Sequence, residues 1–385
     1  MRSKNVLGIM MQCLFCIAVV SIIWAVFGFS LAFGHSVAGG ILGNLSLGSM
    51  SSDHTKIPGF SHLTISPLAF GVFQMMFAVI TAALIAGGGA DRMKFVGFAL
   101  LIVIWTVVVY VPIAHWVFSP QGWLARRGVL DFAGGTVVEI NSGFSALGLA
   151  VVLGKRRGWP KEAMVPHSVP LAVVGAGILW FGWFGFNAGS AGAANSVAVH
   201  AFLNTQLAAC AGVIGWLIIE KVTTSYATTV GAISGAVAGM VAITPCAGFI
   251  STLPSILVGL IAGLLCALAV RVKFKLGYDD SLDVLGVHGV GGLVGTIFVG
   301  LFATLAVNSS GADGLFSGGG VHLLSVQVLA ALVTAIYAFG ATALIAKLVD
   351  KTVGLRLSPD DESIGLDSSQ HAEVAYSTGQ SQGHL

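Results

Sequence analysis

The sequence predicts an all-α integral membrane protein with ten spanning helices. Hydrophobic residues make up 56% of the 385 residues and charged residues only 9%, whereas a soluble globular protein carries about 25% charged residues. The hydrophobic residues are also grouped into runs of about 18 or more, the length that a helix needs to cross a bilayer. Glycine, at 52 residues, suits helices that pack closely in lipid.

Ten apolar runs are long enough to be spans. The first run is too long for the apolar core of a secretory signal peptide, so it predicts a true span. The predicted spans cover residues 6–33, 67–89, 95–118, 132–153, 169–189, 198–219, 227–243, 253–270, 284–307 and 322–346.

The segments between the spans differ sharply in positive charge. If the spans alternate in direction, 15 of the 18 Lys and Arg residues fall on one side, and only Lys56, Arg126 and Arg127 fall on the other. Lys and Arg are enriched in the loops that stay in the cytoplasm. The sequence therefore predicts a multi-pass protein of the plasma (inner) membrane, with both termini of the given chain in the cytoplasm.

The composition changes near residue 350. Residues 1–350 hold the predicted spans, and we assign them to one transmembrane domain. Residues 351–385 are polar and contain Pro, Ser and Asp, which predicts a cytoplasmic tail of mostly irregular structure.

The fourth and ninth spans resemble each other. They begin LDFAGGTVVE and LDVLGVHGVG, and spans that lie five apart run in opposite directions. This pattern predicts two inverted repeats of five helices each. The first half then has only four spans, so we expect one helix to be missing at the N-terminus, through a start codon placed too late or a shortened chain.

Two ionisable residues lie inside these spans, Glu139 in the fourth and His288 in the ninth. A charged side chain near the bilayer centre costs about 2.5–3.5 kcal/mol on insertion scales, so such residues usually line a pathway. A structural polar pair is the alternative. Because the two spans are repeat-related, we expect the side chains to face each other and to titrate as a unit. Asp131 and Asp283 begin the spans, and helix capping is the simplest role for Asp283.

The fifth span ends in WFGWFGFNAGSAGAAN, a stretch that changes from aromatic to small and polar residues. Ring faces attract a cation and a hydroxyl accepts a hydrogen bond from it. Trp183, Phe186 and Ser190 are therefore candidates for a small-cation site. An aromatic belt at the membrane interface is the alternative.

Other classes of protein receive little support. Cys13 and Cys16 form a CxxC pair without the βαβ context of a redox motif, so small apolar filler is the simpler interpretation. Basic clusters are confined to short loops, and we expect no nucleic-acid partner. The sequence offers no metal cluster beside Glu139 and His288, and we expect neither a metal nor a cofactor.

Several motifs resemble those of the ammonium transporter (Amt/Mep/Rh) family, from residue 4 to about residue 376. The motifs are KNVLGIMMQ, FGFSLAFG, PIAHW, LDFAGGTVV, GKRRG, GWFGFNAGSAG, AITPCAGFI, DVLGVHGVGG and the tail pattern VGLRLSP…GLD…H.E.AY. The resemblance implies the family's eleven-helix fold without its first helix, and a trimer of separate pores.

The resemblance also implies roles for individual residues. Ser190 matches the outer ammonium-binding hydroxyl, Phe77 a cage and gate aromatic, Phe186 the second gate ring and Trp183 the pore-wall tryptophan. Asp131 matches the buried acid that supports the outer site, and His288 the second histidine of the pore pair.

Two residues depart from the family pattern. Glu139 replaces the first histidine of the pair, as in some members, and Phe118 replaces a Trp of the outer cage. Phe is a weaker cation–π partner than Trp, so we expect a changed affinity unless Trp116 or Trp123 substitutes.

The resemblance implies an ammonium transporter of nitrogen metabolism that conducts ammonium or ammonia across the lipid bilayer through a hydrophobic pore in each protomer. Potassium cannot shed a proton and ammonium can, which gives an apolar pore a basis for selectivity. A sensor that signals through its tail is the alternative, and an intramembrane enzyme has thin support. The tail motifs GLRLSP and GLD also imply docking of the PII signalling protein.

Overall fold

The computed structural model describes residues 1–50, 56–60 and 64–376. Within these ranges, ten long helices form a bundle and two short helices follow them. The long helices are α1 (Ser3–Phe33), α2 (Pro67–Gly89), α3 (Phe95–Phe118), α4 (Gly135–Leu153), α5 (Val169–Gly189), α6 (Ser196–Thr224), α7 (Thr229–Ile243), α8 (Thr252–Leu276), α9 (Leu285–Phe302) and α10 (His322–Thr352). The short helices are α11 (Pro359–Ile364) and α12 (Leu366–His371).

The prediction of ten apolar helices is confirmed for the described residues. Nine of them are long and apolar enough to cross a membrane, and α7 is apolar but shorter, at 15 residues. We call the side that carries α11 and α12 the inner side. On the opposite, outer side, a two-stranded sheet pairs β1 (Ser36–Val37) with β2 (Leu42–Gly43) in antiparallel fashion.

The starts of several helices follow from capping residues in the sequence. The side chains of Ser66, Ser168, Asn195 and Thr228 each accept a hydrogen bond from the backbone N–H three residues later. Such a bond satisfies one of the free donors of a first turn. Helix α9 ends at Phe302 rather than at the predicted residue 307, because the next backbone groups bond elsewhere: the Thr304 N–H donates to the Phe249 carbonyl.

Glycine allows the helices of the second half to approach closely. A Cβ on Gly212 would meet the backbone of α7, and a Cβ on Gly259 or Gly263 would meet the backbone of α6. Replacement of these hydrogens by methyl groups would push the helices apart, which is the role expected of small residues in membrane helix packing.

The expectation of an irregular tail is wrong between residues 359 and 371, where α11 and α12 form. Ser358 caps α11 by accepting from the Asp361 N–H. The tail is then bonded to the inner ends of the bundle: the Gly8 N–H donates to Asp367 Oδ1, and the Leu366 N–H donates to Asn5 Oδ1. Glu362 accepts from the Arg157 N–H and pairs with Arg356. Polar composition alone did not reveal these partners, since they lie far away in sequence.

Candidate functional site

Helices α4 and α9 cross at the centre of the bundle, in contact through glycine. A Cβ on Gly143 of α4 would overlap the backbone of Gly289, and a Cβ on Gly292 of α9 would meet the Cβ of Glu139. The sequence therefore leaves no side chain between the two backbones at this crossing. The close approach brings the ionisable side chain of each helix within reach of the other.

Glu139 and His288 are in direct contact at this crossing. Glu139 Oε2 lies 2.7 Å from His288 Nδ1, and the residues are only 1% and 9% exposed. The contact confirms that the two side chains face each other. Either the ring N–H donates to an ionised carboxylate or a protonated carboxyl O–H donates to the ring, so a single proton has two positions in this pair.

Each of the two residues lies in a π-helical turn at the start of its helix. The turns are Gly135–Ile140 in α4 and Leu285–Gly289 in α9. A π turn breaks the regular bonding of a helix and is frequent at functional sites. In α4 the altered carbonyls find side-chain donors: Asn141 Nδ2 donates to the Val137 carbonyl and Ser142 Oγ to the Glu139 carbonyl.

Asp131 caps α4 with both carboxylate oxygens. Oδ1 accepts from the N–H groups of Gly134 and Gly135, and Oδ2 accepts from the N–H groups of Thr136 and Val137. The Thr136 hydroxyl also donates to Oδ2 at 2.5 Å. The charge thus lies at the positive end of the helix that carries Glu139.

The expectation that Asp283 caps the ninth span is wrong. The Leu285 N–H donates to Asp280 Oδ2 at 2.7 Å, whereas Asp283 forms an ion pair with Lys273 at 2.6 Å. Asp131 precedes Glu139 by eight residues, and Asp280 precedes His288 by the same distance. Alignment of the two Leu-Asp pairs had matched Asp131 with Asp283, whereas the capping bonds match Asp131 with Asp280, three residues earlier.

The outer side of the bundle contains a cavity of about 260 Å³ above the start of α4. Three residues predicted for the outer site line it: Phe77, Phe118 and Ser190. Trp116 and Trp123 are not among the residues described along its wall. Trp116 instead donates to the Ile41 carbonyl and packs against Trp123, so these residues do not place a tryptophan in the cavity. The described residues that line it are Phe60, Ile65, Phe70, Phe73, Gln74, Phe77, Phe118, Phe132, Gly189, Ser190, Ala191 and Gly192.

Aromatic rings close the floor of this cavity. Phe77 stacks on Phe186 with ring centroids 4.4 Å apart, and it meets Phe118 edge-on at 5.8 Å. Trp183 packs against Phe186 at 5.6 Å, and its indole N–H donates to Thr244 Oγ1. Phe77 therefore serves both the cavity and the stack, and Trp183 lies behind the second ring.

Two polar side chains of the described residues face the cavity. Ser190 Oγ donates to the Phe186 carbonyl at 2.8 Å, which leaves the hydroxyl oxygen able to accept. The Gln74 carbonyl oxygen Oε1 is buried and has no hydrogen-bond partner among the described residues. Sequence reasoning missed Gln74, although a polar residue three positions before Phe77 in an apolar run was a usable signal. Asp131 is absent from the described wall, but its neighbour Phe132 is part of it.

Charged side chains fix the inner ends of α4 and α9. Arg156 binds Asp279 through two nitrogens, at 2.9 and 2.8 Å, and also pairs with Asp91. Burial raises the pKa of Asp279, but the bonds from Arg156 outweigh it and the net pKa is lowered. Burial raises the pKa of Asp280 to about 6, with a further contribution from the charge of Asp283.

Known proteins are similar to this chain in both sequence and fold. The sequence model of the Ammonium Transporter Family matches residues 1–376. The ammonium transporter of Bacillus subtilis (strain 168) is 46% identical over 97% of this chain and 91% of its own length. The ammonium transporter of Mycobacterium tuberculosis (strain ATCC 25618 / H37Rv) is 45% identical over 97% of this chain and 84% of its own length.

Solved structures agree with this match. Candida albicans Mep2 has a TM-score of 0.85 and 36% identity, with 94% of this chain and 81% of that chain covered. A structure described as a sensor Amt protein has a TM-score of 0.86 and 30% identity, with 96% of this chain and 91% of that chain covered.

The fold and the site define a multi-pass membrane transport protein whose helices surround aromatic rings and a buried ionisable pair. The chain belongs to the Ammonium Transporter Family, as the motifs of its sequence had indicated. Its function is ammonium transport.

Proposed function

We propose that ammonium enters at the outer cavity, passes between Phe77 and Phe186, and reaches the Glu139–His288 pair. The observation that carries this route is the 2.7 Å contact between Glu139 and His288. A buried ionisable pair within a membrane is expensive and is usually found along a substrate or proton path. The aromatic stack lies between this pair and the outer side, where a gate is needed.

The outer cavity suits a small cation that donates hydrogen bonds. Phe77 and Phe118 line the cavity with aromatic rings, Ser190 Oγ accepts, and Gln74 Oε1, which has no partner among the described residues, adds a second acceptor. Ring faces attract ammonium electrostatically. We assign Asp131 an indirect part: its carboxylate is engaged by the first turn of α4 and contributes negative potential beneath Phe132.

The stack of Phe77 and Phe186 selects by dehydration. A cation must lose its water to pass between apolar rings, and this is costly for a full charge. Ammonium can leave its proton behind and continue as neutral ammonia, whereas potassium cannot. Trp183 forms part of the wall beyond the second ring.

Glu139 and His288 then carry the separated proton. Ammonium divides into ammonia and a proton; the proton moves through the carboxyl–imidazole pair while ammonia passes through the lumen, and the two recombine on the inner side. One positive charge then accompanies each nitrogen. Direct binding of the substrate by the pair is the alternative, and it requires hydrogen bonding at Glu139 but no proton exchange.

Currents from proteoliposomes test the proposal. Pulses of ammonium should produce saturable currents, and pulses of potassium at equal ionic strength should produce none. Saturable binding without current would contradict transport through this route and favour a sensor. Chemical conversion of ammonium would contradict the assignment as a transporter that is not an enzyme.

We further propose a homotrimer in the plasma membrane, with the C-terminal tail in the cytoplasm. The charge asymmetry of the loops supports the orientation. The exposed apolar face of α5, which includes Leu171, Ile178 and Phe181, supports burial against a second copy. Native mass spectrometry should find three chains, and protease added to sealed right-side-out vesicles should leave the tail intact.

Residues 351–385 are proposed as a regulatory unit that docks a PII signalling protein, separate from the transmembrane domain of residues 1–350. Deletion of residues 357–385 would remove Leu357, Glu362 and Leu366, which are buried against the bundle. A shorter deletion of residues 372–385 keeps these buried residues, and it is therefore the control for a folding defect. PII should bind the intact chain and not the chain without residues 357–385; equal binding to both would contradict tail docking.

A further inference from the structure

We infer that Asn141 is a positioning residue for Glu139, held in place by a buried hydrogen-bond network that reaches α3 and α10. The network consists of Trp105, Asn141, Ser145 and Thr342, and we call it the amide network. All four residues are buried, at 0% exposure. The inference rests on the proposed function, in which Glu139 exchanges a proton with its partner in α9.

The π turn of α4 leaves one backbone carbonyl to the side chain of Asn141. The Asn141 N–H donates to the carbonyls of Thr136 and Val138, and it bypasses the Val137 carbonyl between them. The side-chain Nδ2 of Asn141 donates to this Val137 carbonyl at 3.1 Å. A buried carbonyl without a donor is costly, so this bond fixes the backbone two residues before Glu139.

The matching turn of α9 shows that a π turn can form without such an amide. There the Val290 N–H donates in the same pattern, to the carbonyls five and three residues earlier. Val290 stands two residues after His288, as Asn141 stands two residues after Glu139, but the Val290 side chain has no donor. The amide is therefore a feature of the helix that carries the acid, and the turn itself does not require it.

The polarity of the amide network sets the direction in which the Asn141 amide points. An indole N–H can only donate, and Trp105 Nε1 donates to Ser145 Oγ at 3.1 Å and to Thr342 Oγ1 at 3.0 Å. Thr342 Oγ1 donates to Ser145 Oγ at 2.9 Å, and Ser145 Oγ donates to Asn141 Oδ1 at 3.3 Å. The amide oxygen thus faces Ser145, and the amide nitrogen faces the Val137 carbonyl.

The amide network ties α4 to two neighbouring helices. Trp105 lies in α3 and Thr342 in α10, and both bond to Ser145 of α4. Buried polar groups rigidify a site when every member is paired, and they are costly when one partner is lost. We therefore expect loss of the Ser145 hydroxyl to change the orientation of the Asn141 amide.

The backbone is thus held on both sides of the residue that carries the acid. Ser142 Oγ donates to the Glu139 carbonyl at 3.2 Å, and the amide nitrogen holds the Val137 carbonyl. This arrangement directs the carboxyl group at His288 Nδ1, 2.7 Å away. Among the described residues, the charges that act on Glu139 are those of His288 and Asp131. The network residues carry no charge, so their substitution tests geometry.

Ammonium currents from proteoliposomes, recorded with the full chain over a pH series, test the inference. Asn141→Val gives α4 the residue type that α9 has at the matching position. We expect the maximal current to fall roughly tenfold, because a misplacement of about 1 Å can cost up to about 10²-fold in rate. The pH profile of the current should shift, and the ammonium concentration at half-maximal current should change little.

Ser145→Ala should shift the pH profile in the same direction by a smaller amount. The double variant should match Asn141→Val alone, because Ser145 acts through the amide and residues in one network are not additive. If Asn141→Val does not fold, Ser145→Ala decides by itself, since an unchanged pH profile in that variant also contradicts the inference.

Asn204→Val is the matched control for a loss of stability alone. Asn204 of α6 is also buried at 0% exposure, and its Nδ2 donates to the backbone carbonyls of Ala247 and Ile250. This variant should lower the thermal midpoint in detergent and keep the wild-type pH profile.

Three results would overturn the inference. Asn141→Val could keep the wild-type pH profile, Asn204→Val could shift the profile as far as Asn141→Val does, or the double variant could show the sum of the two single shifts. Glu139→Gln, measured in parallel, separates this failure from that of the proposed function. If Glu139→Gln matches wild type, the proton relay fails and the positioning role falls with it; if Glu139→Gln slows transport while Asn141→Val keeps the wild-type profile, only the positioning role fails.

Discussion

The two repeat-related halves of the pore have an aspartate in matching positions, but the two aspartates differ in their hydrogen bonds. Asp131 and Asp280 each lie just before a helix, eight positions before the ionisable residue that the helix carries. Asp131 accepts from four backbone N–H groups and one hydroxyl. Asp280 accepts from the Leu285 N–H through Oδ2, while its buried Oδ1 has no partner among the described residues. The helix cap of the outer half is thus fully hydrogen-bonded, whereas the inner half has a capping acid that can gain or lose a proton.

The difference extends to the pore residues themselves. Glu139 follows the saturated cap and His288 follows the unsaturated one, and the two meet at 2.7 Å. In a pair made of an acid and a base, the shared proton lies between two chemically different groups. In a pair of identical residues, only the surroundings of the two groups would distinguish them. Changes on each half therefore test which part of the asymmetry matters.

Glu139→Gln should have the largest effect. An amide can still form a hydrogen bond with His288 but cannot exchange a proton, and proton transfer by a positioned side chain contributes about 10²–10⁴-fold to a rate. We expect ammonium currents in proteoliposomes to fall by about 10²-fold, while the protein remains folded. Glu139→His should retain transport with a shifted pH dependence.

The matched control is Glu162→Gln, which removes an exposed carboxylate outside the helices and should leave the current unchanged. If Glu139→Gln matched wild type in both rate and pH profile, Glu139 would be a structural polar group and the proton relay would be wrong.

Asp131→Asn should have the next largest effect, which is a loss of stability. The amide places N–H donors against the N–H groups of α4, so the turn loses acceptors and gains a repulsion. We expect about 2–3 kcal/mol less stability, in line with the loss of hydrogen bonds to a charged group, and a lower thermal midpoint in detergent. Asp350→Asn, at a single bond to the Leu355 N–H, should cost clearly less. Equal losses in the two variants would argue against a special role for the α4 cap.

Much of this architecture was predictable because each membrane helix is a continuous apolar run in the sequence. Ten apolar runs gave ten helices, and the positions of Glu139 and His288 in matching spans gave their contact. The repeat register was mistaken because two Leu-Asp pairs coincide in sequence, while the capping bonds depend on three-dimensional geometry. The ordered tail was missed for a related reason: its partners, such as Asn5 and Arg157, lie more than 200 residues away.

Ser190→Ala and Gln74→Leu should weaken the outer site moderately. Each removes an acceptor that faces the cavity, and hydrogen bonds to charged groups are worth about 1.5–3 kcal/mol, or roughly 10- to 150-fold in affinity. The apparent affinity for ammonium in uptake assays should fall while the maximal rate changes little. Ser310→Ala removes an exposed outer hydroxyl away from the cavity and should have no effect. Unchanged concentration dependence in either test variant would remove that residue from the site.

Asp280→Asn should have the smallest effect, visible only in the pH dependence of stability. Burial, with the charge of Asp283, raises the pKa of Asp280 to about 6, so the folded state binds a proton more readily than the unfolded state does. Wild-type stability should therefore rise as the pH falls through about 6, by about 1 kcal/mol between pH 7 and pH 5, and level off near the unfolded pKa. Thermal midpoints of wild type and variant over a pH series measure this contribution. Asn cannot titrate, so the rise should be absent from the variant; a rise of equal size in both proteins would show that another group is responsible and that the inner cap is as fixed as the outer one.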